Sequence, residues 1–184
     1  MLSRERAWEL LAGQGQEPHM LHHALETEAV MRGLARRLGE DEDLWGVTGL
    51  LHDLDYHETK EIPEEHAMRT AVMLAGQIPE EALQAIKAHN GERNGIMPST
   101  RFDYALRCAE TVTGLISAAA MVRPTKLEGL GAKSLKKKMK DKAFAAAVNR
   151  EIIKECHQLG LDLDDFLEGA VASISSVADQ VGLQ

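Results

Sequence analysis

Hydrophobic positions recur at helical spacing along almost the whole chain. Leu21, Leu25, Val30, Leu34 and Leu38 form one apolar stripe in a segment that opens at Pro18 and closes at Gly39. Proline suits a first helical position and glycine the residue past the last. "EDEDLWGVTGLLHD" opens on acids, which favour a helix N-terminus, and turns Leu44, Val47, Leu50, Leu51 and Leu54 inward. A short helix is predicted over residues 3–12, closed by Gly13. Pro63 and Pro79 each precede two acids and then apolar spacing, so a helix is predicted to start at both. Asn90-Gly91 ends the second, and "NGERNGIMPS" reads as a turn-rich loop. Thr100 and Asp103 form a candidate capping box for a long helix through Val122, with Pro124 beyond its end. After an irregular basic stretch, helices are predicted over about 141–159 and 163–181, the last capped by Asp162. There is no βαβ alternation and no strand-like run bounded by turn signals. The predicted fold class is all-α, a single domain of about seven to nine helices over residues 1–184.

Composition narrows the function classes. At 184 residues, one domain buries roughly 70% of its unfolded surface and needs no staples. Only 4% of residues are aromatic, so the core is built from Leu, Ala, Val, Ile and Met. Cys108 and Cys156 belong to no CxxC pair; this is neither a disulfide framework nor a zinc ribbon, and it suits a reducing compartment. "MLSRERAWEL" has no apolar h-region and no apolar run approaches membrane-spanning length, so a cytoplasmic protein without membrane contact is expected. The net charge of −8 argues against general nucleic-acid binding. Residues 123–142 run the other way, with eight Lys or Arg against Glu128 and Asp141. That stretch reads as a solvated linker and helix start, or as an attractor for an anionic substrate or a partner's acidic face.

The chemistry is concentrated in "GLLHDLDYHE", where an apolar run ends in His52 and Asp53, followed by Asp55. Of the eight histidines, His23, His52, His66 and His89 are spaced 29, 14 and 23 residues apart, and Glu110 lies 21 beyond the last. Each interval is about one helix plus a connection, so each helix can aim one ligand at a shared centre, as helical bundles do when they hold metals. Imidazole nitrogen with carboxylate oxygen suits Mn, Fe, Co, Ni and Zn. Neighbours in mid-helix diverge by about 100°, but at a helix end the last turn can loosen and let His52 and Asp53 face one ion. Taken singly, a histidine on an apolar face is more often a core residue bonded to a backbone carbonyl. His19 and His22 read as a surface pair, and Asp55 either caps the next loop or holds a ligand histidine from behind.

These residues together resemble the HD-domain superfamily of metal-dependent phosphohydrolases. "HHALETEAVMRGLARRLGEDEDLWGVTGLLHDLDYHE" is similar to its first-histidine helix and its "LLHD" helix, and "EEHAMRTAVML" and "IKAHNG" to its third and fourth histidine segments. The likeness continues through "CAETVTGLISAAAMVRPTK" and "KSLKKKMKDKAFAAAVNRE". It implies an HD-type helical bundle with a metal-site core over about 18–122 and C-terminal helices over about 141–181. By the resemblance, His23 (in preference to His22) is the first histidine, His52 and Asp53 the doublet, and His66 and His89 the extra pair of binuclear members. The last position is usually Asp; here it is Glu110, one methylene longer.

The implied cofactors are one or two divalent transition-metal ions (Mn, Fe, Co, Ni or Zn). The implied activity is hydrolysis of a nucleotide or other phosphate ester, as a phosphomonoesterase or phosphodiesterase, through metal-activated water. Asp53 and Asp55 are the catalytic candidates, Asp55 as orienter or proton acceptor. Lys87, Arg123 and Lys126 are candidate phosphate contacts or ordinary surface charge, and "HNGERNG" either gates the mouth or simply connects. The expected partner is a small phosphorylated substrate, a nucleotide foremost. Competing readings are a nucleotide-sensing module without turnover, an HD-type di-iron oxygenase, and a helical interaction protein whose histidines are core residues.

Overall fold

The computed structural model describes residues 2–184, and all regular structure among them is helical. The Ser3 hydroxyl accepts from the Arg6 amide and starts α1 (Arg4–Ala12). α2 (Pro18–Leu38) begins on its proline and stops at Gly39, whose φ of 73° is left-handed. Asp41 accepts from the Asp43 and Leu44 amides at the head of α3 (Glu42–Leu51). Two short segments, α4 (Tyr56–Thr59) and α5 (Met68–Met73), lead to α6 (Glu80–His89) and the single turn α7 (Gly91–Asn94). α8 (Arg101–Met121) carries the predicted capping box between Thr100 and Asp103, a device worth about 1 kcal/mol. α9 (Ala132–Lys140), α10 (Arg150–Lys154), a 3-10 turn over Glu155–Leu159 and α11 (Leu163–Ser175) complete the chain, the last capped by Asp162 as predicted.

α8 is the axis of the bundle and packs against α2, α3, α6, α9, α10 and α11. One continuous core includes Ala7 and Leu11 at one end of the chain and Val181 and Leu183 at the other. Trp45 of α3 stacks on Phe102 of α8 with ring centres 4.9 Å apart. α2 and α3 come unusually close because Gly49 lacks a side chain: a Cβ there would stand 2.9 Å from Met31 Cγ and 3.1 Å from the Thr27 carbonyl. That approach brings His23, one turn before Thr27, alongside His52, one turn after Gly49.

Four expectations shift. No helix starts at Pro63; residues 63–67 are turns, and α5 begins only after Ala67, which takes a left-handed φ of 72°. The Asn90 side-chain amide donates to the Pro63 and His66 carbonyls at 2.7 and 3.1 Å, holding the segment out of helical register. The basic stretch is not irregular throughout: Leu135 is buried and Met139 packs on the core, one turn apart, which is enough of a stripe to form α9 with lysines outward. The helix expected over 141–159 starts only at Arg150, because the Arg150 guanidinium donates to the Phe144, Ala145 and Val148 carbonyls and shapes 141–149 as turns. The last helix ends at Ser175, ahead of the expected 181, and continues as turns. Among the described residues, no helix is long and apolar enough to cross a membrane.

Candidate metal centre

Three helices and one loop converge on Asp53. His52 caps α3 and His89 is the last residue of α6. The final carbonyls of a helix lack partners within it, and both histidines exploit this. His52 Nδ1–H donates to the Gly49 carbonyl at 2.8 Å, and His89 Nδ1–H to the Ile86 carbonyl at 2.6 Å, each three residues back. Ending the apolar run of α3 in a His-Asp pair therefore orients the ring with backbone that is already there. His23, near the start of α2, donates from Nδ1 to Thr113 Oγ1 at 2.9 Å, and the Thr113 hydroxyl itself donates to the Glu110 carbonyl at 2.7 Å. His66 donates from Nδ1 to the Asp55 carboxylate at 2.8 Å. Ala67, in its left-handed turn, releases His66 from helical geometry so that the ring can face inward.

The Gly49 and Ile86 carbonyls and the Asp55 carboxylate can only accept, and the Thr113 hydroxyl gives its hydrogen to Glu110, so all four histidines carry a proton on Nδ1 and turn Nε2 to the centre. The Nε2 atoms of His23 and His52 are 3.2 Å apart, as are those of His66 and His89. Asp53 Oδ1 stands 3.3, 3.1 and 3.3 Å from Nε2 of His52, His66 and His89, and Oδ2 stands 3.6 Å from Nε2 of His23. Lone pairs this close repel unless a cation or a proton lies between them. The donors fall into two groups, His23–His52–Asp53 and Asp53–His66–His89, each with ligand atoms within 4.8 Å of one another, and Asp53 belongs to both. Two imidazoles and a carboxylate per group fit a borderline divalent ion, with one carboxylate spanning two positions.

Electrostatics agree with that fit. Burial pushes the His52 ring down to about 3 and lowers His23 as well, which keeps both neutral and able to ligate. Burial would raise Asp53, but the facing histidines hold it well below the usual carboxylate range. Burial pulls His66 down, yet its hydrogen bonds to Asp53 and Asp55 outweigh this and raise it to about 10. With no cation present, a proton on His66 balances the two acids.

The remaining expected residues divide. Asp55 is fully enclosed and does not line the cavity. Its Oδ1 accepts from His66 and the Thr59 hydroxyl, and its Oδ2 from the Thr70 amide at 2.9 Å. It orients His66, and both of its oxygens face partners within the protein, away from the cavity. Glu110 lines the cavity, but its carboxylate accepts from the adjacent Thr111 hydroxyl and lies outside both donor groups. Burial raises Glu110 to about 8.

Lys87, Arg123 and Lys126 do not reach the cavity. Lys87 faces Glu80 at 3.5 Å; Arg123 is spent on the Lys126 and Glu128 carbonyls; Lys126 sits in that same turn. His22 lines a different hollow, beside Trp8. The "HNGERNG" segment is pinned: Asn90 holds the 63–66 turn, Asn94 donates to the Lys87 carbonyl, and Glu92 pairs with Arg107.

Above Asp53 opens a cavity of about 530 Å³, with Asn90, Arg93, Thr111 and Asn149 on its walls. Sequence reasoning placed Asn90 and Arg93 only within the candidate mouth segment, and missed Thr111, Asn149 and Arg107, the last fully buried. Its guanidinium donates to the Ala88 carbonyl at 3.1 Å and pairs with Glu92 and Glu155 at 2.6 and 2.9 Å, bracing the end of α6 that carries His89. The one available signal was a lone arginine in the apolar stripe of α8.

The sequence model of the HD domain matches residues 20–121, more than half of the chain, and the chain belongs to that family. No curated protein and no solved structure matches it.

Proposed function

We propose that this member of the HD-domain family is a metal-dependent phosphohydrolase acting on a nucleotide or other phosphate ester. The observation that carries the reading is the meeting of four histidine Nε2 atoms around Asp53 at the floor of an open cavity. His23, His52 and Asp53 would hold one ion, and Asp53, His66 and His89 a second. Ions held there would supply positive charge to a phosphoryl oxygen and acidity to water beside it.

The protein's own side chains support the rest. Asp53 and Glu92 face Arg93 and a charged His66 on the cavity walls, with Glu110 raised to about 8, so the metal-free site carries little net charge and cations held there would supply the attraction for a phosphate. Arg93, exposed on the rim, is the guanidinium best placed to meet phosphate oxygens. Asp55 keeps the His66 ring and its tautomer in place. A volume of about 530 Å³ is that of a small-molecule site.

The test is metal analysis of the purified protein, followed by phosphatase and phosphodiesterase assays with Mn, Co and Ni. Wild type is expected to bind metal and hydrolyse at least one nucleotide, and His52→Ala and Asp53→Ala to lose both properties. Full metal and full activity in both variants sinks the assignment. Nucleotide binding without turnover under every metal marks a sensing module; bound iron with oxygen consumption marks an oxygenase.

A further inference from the structure

Beside the metal cavity lies a second hollow of about 720 Å³ between α9, the 141–149 turns and α10. Its cationic lining is Lys136, Lys140, Lys142, Arg150 and Lys154, and the single carboxylate is Glu151. Resting on the hydrolase reading above, we propose that this groove binds a second phosphate-bearing arm of the substrate. The substrate is then a phosphate ester with at least one further phosphate group, of the nucleoside polyphosphate kind.

Four features separate this groove from an ordinary solvated lysine face. It is concave with an apolar floor of Met139, Val148 and Leu163, so a ligand there loses water and the cations act through a drier medium. It is preformed: Arg150 ties the 141–149 turns through the Phe144, Ala145 and Val148 carbonyls, and Lys138 lies 4.1 Å over the Phe144 ring. Part of its charge is unspent. Lys136 pairs with Asp164 and Lys154 with Glu151, but Lys140 and Lys142 are exposed and make no ion pair among the described residues. Finally, it adjoins the centre. Val148 and Asn149 line both hollows, and Val148 packs against Gly114 of α8, where a Cβ would stand 3.1 Å from it. A ligand lying across that wall puts one phosphoryl group over Asp53 and its charged tail among the lysines. In a chain of net charge −8, such a concentration of cations selects an anion of small-molecule size.

The experiment uses the metal-loaded, full-length protein and the magnesium complex of the α,β-methylene analogue of adenosine triphosphate, with binding read by calorimetry. Lys140→Ala/Lys142→Ala is expected to weaken binding by about tenfold or more. Lys133→Ala/Lys137→Ala, the same charge loss on exposed positions of α9 outside the groove, should stay within about twofold. In turnover, the groove variant raises KM for adenosine triphosphate by a similar factor and leaves kcat for p-nitrophenyl phosphate unchanged. The proposal is overturned if wild type does not bind the analogue, if the groove variant binds it as wild type does, or if both double variants weaken it equally. If no ester is hydrolysed but analogue binding still depends on Lys140 and Lys142, the hydrolase reading fails and the groove assignment stands.

Discussion

The two adjoining hollows are built on opposite principles. At the metal centre, each histidine has one ring nitrogen committed to a named partner: Gly49, Ile86, Thr113 or Asp55. His52 is fully buried, and its facing nitrogen and that of His89 are positioned by helix ends. In the lysine groove, the cations at the rim are exposed, and Lys140 and Lys142 have no partner. Holding an ion at a point requires directed, desolvated groups, each of which matters alone. Attracting an anion requires only summed charge, spread over side chains that tolerate loss one at a time.

Mutations and pH can break or sharpen this contrast. Asp53→Ala removes the one group shared by both donor sets; metal content should collapse and activity fall by about 10³-fold or more, as read by elemental analysis and kcat/KM. Arg107→Ala should cost about 3 kcal/mol, the lower end for a buried ion pair because Glu92 is half-exposed. For a chain of this size that lowers Tm by roughly 10 °C. It should also weaken the centre, since the end of α6 loses its brace. Asp55→Asn keeps a hydrogen-bonding group behind His66 but removes the charge, and metal affinity measured against a competing chelator should fall roughly 10–100-fold.

The pH response follows from His66. Below its pKa of about 10 in the metal-free protein, the ring is an imidazolium, and an ion entering the Asp53–His66–His89 group must displace that proton. Apparent affinity for that position should therefore rise with pH, by up to about tenfold per unit, and calorimetry in two buffers should show about one proton released. For the metal-free fold, the raised His66 value adds stability that is complete below the model-compound value of 6.5 and is lost as pH rises through about 10. The depressed Asp53 value adds stability above 3.8 that is lost as pH falls through its lowered value. The smallest effect is expected on the groove side. Lys136→Ala breaks only the half-exposed pair with Asp164 and should change stability by less than about 0.5 kcal/mol in a denaturant titration.

Much of this was legible in the sequence because it is local. Pro18 with Gly39, the acids before α3, and Thr100 with Asp103 are capping chemistry, and each sits at a helix boundary as expected. The ligand intervals were legible because His52 and His89 sit at helix ends and their orientation needs only the carbonyl three residues back. What depended on distant partners was not legible. The aim of His66 rests on Asp55 and on a left-handed Ala67, which no propensity favours. Lys87 was placed by proximity in sequence to His89, yet residues two apart on a helix face different sides, and it turns to Glu80. Arg123 and Lys126 lie in a turn whose carbonyls consume the guanidinium. Arg93 and Asn149 reach the cavity only through tertiary packing.

Asp53 belongs to both donor sets, so the two ion positions draw on a single negative charge. A first dication held there would more than offset that charge, and a second would face like charge across a few ångströms. Loading of both positions would therefore be stepwise and anticooperative, with a broad concentration range in which the singly occupied form dominates.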